Sequence, residues 1–141
     1  MGAWGTNSFD NDGALDFLAD YREGTAAVVE TVLRDIAHLA DGTYIEVDAG
    51  QAAIVAAEVV AACHDNASSA IEEDMQEDML AHRADVAANL DLIDFASAAI
   101  PKVMVSETSE LAELWDDAEP ADAEAFKSGV ADLLARLGDI T

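Results

Sequence analysis

The stretch Asp48–Cys63, DAGQAAIVAAEVVAAC, constrains the fold more than any other. From Ala52 to Cys63 every residue is apolar except Glu58. A helix that is apolar on all sides is stable in water only when other elements cover it. At a rise of 1.5 Å per residue it is about 24 Å long, the width of a small domain. The pattern therefore predicts an all-α fold: a single-domain, orthogonal or irregular bundle of six to seven helices around a buried central helix at about residues 48–64. Asp48 with Gln51 has the spacing of a capping box to start that helix.

The remaining composition fits this picture. A chain of 141 residues buries about 68–70% of its unfolded surface, enough for a core without staples or metal. Thirty acids against six bases give a formal charge of −24. Such a surface repels the phosphates of nucleic acid and of anionic lipid, so neither nucleic acid nor membrane is expected as a partner. A basic protein partner is. The pattern specifies no oligomeric state. Glu58 keeps the best apolar run below the roughly 18 residues that span a bilayer. No basic segment precedes an apolar stretch as in a signal peptide, so the expected setting is cytoplasmic. Cys63 is the one cysteine and, on the apolar rod, reads as a small core residue.

The first residues, MGAWGTNSFDNDGALDF, are dense with signals. The opening fits an N-myristoylation pattern formally, but lacks the neighbouring bases that firm anchoring needs. Gly2 and Gly5 instead suggest a tight turn that sets Trp4 into the body of the protein. Ser8, Asp10, Asp12 and Gly13 align with a calcium loop, but Ala19 stands where its bidentate glutamate belongs. Capping explains these residues better: Asp10 or Asn11 caps a helix and Asp12 favours the positive end of its dipole.

That helix runs to about Arg22 and ends at Gly24, with Leu15, Phe17, Leu18 and Tyr21 inward. Thr25 caps a second helix, Ala26–Ala40, with Glu30 and Arg34 paired on its wet side. Thr43–Val47 reads as briefly extended, with no second β run to pair with. In Asp65–Asn89, Ile71, Met75 and Met79 recur every four residues as a core-facing stripe. Glu72, Glu73, Asp74, Glu77 and Asp78 form the opposite, acidic face. Asp91 is the expected cap of the next helix, and Pro101 should kink or break it by clashing with the Ser97 carbonyl. Ser106 is the expected cap of another, with Glu107, Glu110, Glu113, Asp116 and Asp117 facing out. Pro120 opens the last helix. Gly129 suggests a close helix crossing, and Gly138 a stop.

Three segments together resemble one bacterial family. They are the N-terminal run just quoted, AAEVVAA at Ala56–Ala62, and SELAELWDDAEPADAEAFKSGVADLLARL near the end. The chain is similar over essentially its whole length to the family called domain of unknown function 4259. Family members often carry Trp where this chain has Phe17 and Phe126. The family has no assigned activity, so the resemblance implies length and layout and carries over no catalytic residue.

Motifs for chemistry are sparse. GxSxG, GxGxxG, GxxxxGK, HExxH and CxxC are all absent. His64 with Asp65, and His82 with Asp78, are too few ligands for a specific metal site, so no metal or cofactor is expected. Glu58 is the best titratable candidate, because a carboxylate in an apolar setting can serve as an acid or base. The competing expectation is that it accepts hydrogen bonds from buried donors: the Trp4 indole, amides of Gly2–Thr6, or Arg22 or Arg34. The leading functional reading is a non-catalytic acidic helical protein of immunity, regulatory or inhibitor type. It would act through Glu72–Asp78 and Glu107–Asp117. The rival is a small hydrolase or metal-dependent enzyme using Glu58 or the Asp10 and Asp12 carboxylates.

Overall fold

A computed structural model describes residues 12–69 and 71–140. Trp4, Asp10, Asn11 and the side chain of Asp12 lie outside the described part, as do Gly2–Thr6 and the start of the calcium-like loop, whose residues from Gly13 to Ala19 belong to a helix. Among the described residues there are eight helices and no strand. They are α1 (Asp12–Glu23), α2 (Ala26–Ala37), α3 (Val47–Cys63), α4 (Glu73–Met79), α5 (Arg83–Ala88), α6 (Asp91–Val103), α7 (Glu110–Asp116) and α8 (Pro120–Ile140). The all-helical bundle is as expected. Asp65–Asn89 supplies two short helices, α4 and α5, which brings the number to eight.

The apolar rod is the axis of the fold. From Ala53 to Cys63 every α3 side chain is buried, and α3 packs against each of the other seven helices. Close approach is possible at Gly50, where a Cβ would sit 3.3 Å from both Leu111 and Val103 side-chain atoms. There α6 and α7 press on the rod. The α7–α8 corner is fixed by Trp115 stacked on Phe126, with ring centroids 4.8 Å apart.

Several helix ends are secured from far away in sequence. The Asp48–Gln51 capping box does not form: Glu46 is the N-cap of α3, without a side-chain bond of its own. Instead the Val47 N–H donates to the Glu110 carboxylate at 2.8 Å. Helix α2 keeps its Thr25 cap but stops at Ala37, three residues short of the expected Ala40. There Lys102 donates to the Ala37 and Leu39 carbonyls at 2.9 and 2.7 Å. Thr43–Val47 finds one partner after all, a single parallel bridge from Ile45 to Ser109.

Five other expectations are corrected. Leu90, not Asp91, is the N-cap of α6, and the Asp91 N–H donates to the Asn89 side chain. Ser109, not Ser106, caps α7, while the Ser106 hydroxyl donates to Asp116. Pro101 does not break α6, which continues to Val103, because Ile100 and Val103 are both fully buried and hold the last turn in place. Gly129 lies at no crossing, since nothing among the described residues approaches within 4 Å of where its Cβ would be. Gly138 does not stop α8, which runs on to Ile140 with Leu137 anchored in the core.

Candidate functional site

Glu58 is the one carboxylate on the buried stretch Ala53–Cys63 of the rod, and it is only 2% exposed. A buried carboxylate is costly unless paired and hydrogen-bonded. Its partner is Arg136 of α8. One guanidinium nitrogen donates to Glu58 Oε1 at 2.8 Å and the other to Oε2 at 3.2 Å. This two-pronged geometry suits the planar guanidinium and gives the stronger class of hydrogen bond.

The arginine is itself held from three sides. Its Nε donates to Asp132, one turn back on α8, at 2.8 Å. The Asn66 carbonyl accepts from it at 3.3 Å, and the Asn66 side-chain amide returns a bond to the Arg136 carbonyl at 2.8 Å. Asn66 reaches this place because Asp65 leaves α3 in the left-handed region, at φ 61°. Burial works against the Arg136 charge, but the bonds and charges of Glu58 and then Asp132 outweigh it. The guanidinium is held above its ordinary value. With both Glu58 oxygens accepting from a cation, the arrangement ties α8 and the α3 terminus to the rod.

Neither Arg22 nor Arg34 approaches as the expected donor. Arg22 pairs with Asp78 at 3.3 Å and Arg34 with Glu30 at 3.3 Å. Arg136 was missed although a signal for it exists. It sits between Leu133 and Leu137 on the inward stripe of α8, a register where a base needs a buried acid.

Cys63 is buried, and burial pushes its thiol up to about 11, against the opposing influence of Tyr21 and Arg83. A thiol so placed is a poor nucleophile near neutral pH. The Tyr21 hydroxyl donates to the Met79 carbonyl at 2.8 Å and accepts from the His82 N–H at 3.0 Å, pinning the α4–α5 corner to α1.

The acidic faces divide into two kinds of residue. Glu72, Glu73, Asp74 and Glu77 are exposed along α4, as are Glu107, Glu113 and Asp117 around α7. The other three predicted face residues have structural ties. Asp78 holds Arg22, and Glu110 caps α3. Asp116 binds Ser106 and lies 3.0 Å from Lys127. The Ser106 hydroxyl first, and then Lys127, hold the Asp116 carboxyl below the usual range. Near α7, partial desolvation and then the charges of Glu110, Glu113 and Glu46 raise the Tyr44 phenol above its ordinary value.

The family described as Domain of unknown function (DUF4259) matches residues 2–128. The chain belongs to the DUF4259 family. No curated protein and no solved structure matches it. The DUF4259 match spans α1 to α7 and the first part of α8, and so includes Glu58 while ending before Asp132 and Arg136. No helix among the described residues is long and apolar enough to cross a membrane.

Proposed function

We propose that this DUF4259 protein is a non-catalytic acidic helical protein that acts by protein–protein contact, in an immunity, regulatory or inhibitor role. The observation that carries the reading is how its carboxylates are divided. The one on the central rod accepts both prongs of Arg136, so its oxygens are engaged and screened from solvent. Eight on the two acidic tracts are exposed, Asp116 among them. An excess of one sign of charge steers an oppositely charged partner and rejects others. With a formal charge of −24 the partner is a basic protein surface, and nucleic acid and anionic lipid are disfavoured. A cytoplasmic setting is part of the same proposal. A hydrolase centred on Glu58 would need that carboxylate free to take a proton from substrate, and the paired bonds to Arg136 oppose this.

The test is affinity capture on the immobilised protein, followed by stepwise salt. A basic partner that elutes at about 0.5 M salt, where the screening length is only a few ångströms, supports the reading. A partner of acidic or neutral charge, or one indifferent to salt, contradicts it.

A further inference from the structure

Tyr44, Leu90 and Val105 are the exposed large apolar side chains among the described residues, at 51, 66 and 43%. Val105 and the segment that carries Tyr44 border one groove. Val105 lines a groove between the α2–α3 and α6–α7 connections, with Leu39, Asp41, Ile45, Lys102 and Thr108. Tyr44 stands in sequence between two lining residues, Thr43 and Ile45.

The groove is preformed. The Ile45 N–H donates to the Thr108 carbonyl at 2.7 Å, and the Glu110 N–H to the Ile45 carbonyl at 2.9 Å, so the two connections are fixed to each other. The Lys102 ammonium is directed at the Ala37 and Leu39 carbonyls at and just past the end of α2. Its volume is about 230 Å³. Pockets for drug-sized molecules run from about 300 to 1,000 Å³, so this one fits an anchoring side chain better than a cofactor. Its wall carries one acid and one base, and further acids lie near its Tyr44 end. Asp41 is on the wall, and Glu46 and Glu113 are exposed beside Tyr44.

We propose that this groove is the docking notch for a basic segment of a partner protein. One apolar or aromatic anchor of that segment seats against Leu39, Ile45 and Val105, while flanking Lys or Arg residues meet Asp41, Glu46 and Glu113. The proposal rests on the acidic-contact reading above and narrows it to one surface. An apolar anchor at the centre with charges at the rim is the usual division of labour in an interface.

The probe is a displayed library of random dodecapeptides selected against the full chain at low salt. The expected winners carry an aromatic or branched apolar residue flanked by Lys or Arg. A representative winner should bind about tenfold more weakly to Val105→Lys and to Tyr44→Ala, and equally well to Leu90→Ala. Wild-type amide resonances of Leu39, Gly42, Ile45 and Val105 should shift on adding the peptide, a readout independent of how any variant folds. Basic winners that shift α4 amides instead, and bind Val105→Lys normally, overturn the groove and leave the basic-partner reading standing. Winners without basic residues, or no winners, overturn both.

Discussion

Arg136 donates to both oxygens of Glu58, at 2.8 and 3.2 Å, across the interface between the last helix and the central one. The arginine side chain is 11% exposed and the glutamate 2%. Removing one member of a buried pair leaves the other's charge poorly compensated and costs about 3–5 kcal/mol. Arg136→Met is therefore expected to lower unfolding free energy in urea by about 3 kcal/mol. Arg136→Lys should recover only part of this, because an ammonium cannot make the paired bonds. Stability of either variant within experimental error of wild type would contradict the expectation.

The bond from Val47 N–H to Glu110 replaces a local cap for α3. Glu110→Ala should cost about 1 kcal/mol, the usual value of an N-cap, and Glu110→Gln less, since an acceptor remains. Lys102→Met removes two charge-assisted bonds from the end of α2 and should cost about 1.5 kcal/mol. Equilibrium urea unfolding measures all three.

Two glycines should respond in opposite directions. Gly129 is exposed in a helix interior with open space around it. Gly129→Ala should raise stability by about 0.5–1 kcal/mol through helix propensity. Gly50→Ala places a methyl 3.3 Å from the Leu111 Cβ and from a buried, stiff valine at 103. It should lower stability by about 1 kcal/mol, because overpacking outweighs propensity there. Melting temperatures of the two variants, relative to wild type, read the signs directly.

Alkaline pH should loosen the core through Cys63. Burial raises its thiol from 9.0 to about 11, so the folded state favours the protonated form. The contribution is present in full below pH 9.0, and is lost as pH rises through about 11. Wild type and Cys63→Ala should therefore run parallel below pH 9, with wild type losing stability relative to the variant above it. Parallel curves across the whole range would show that the thiol is not shielded.

How much of this was legible in sequence depends on how local the cause is. The central helix could be read because its apolar surround needs no knowledge of its neighbours, and Thr25 and Gly24 because caps and stops act within one turn. The trans contacts could not. Val47 and Glu110 are 63 residues apart, and Arg136 and Glu58 are 78 apart. Rules based on neighbouring residues instead chose Asp48, Asp91 and Ser106 as caps. Pro101 and Gly138 misled for a related reason: each is an intrinsic helix breaker whose penalty of about 1–3 kcal/mol is overridden by buried residues beside it. Of the candidate site, the buried acid was visible and its base was not, although Arg136 stands on an otherwise apolar stripe.

A double-mutant cycle on Glu58→Gln and Arg136→Met tests most directly whether the buried carboxylate serves to hold the helices together. Measured by urea unfolding, the pair should show a coupling of about 2 kcal/mol or more, with the double variant less damaged than the two single losses added together. Effects that add to within about 0.5 kcal/mol would mean that the two side chains act independently, and would contradict the account.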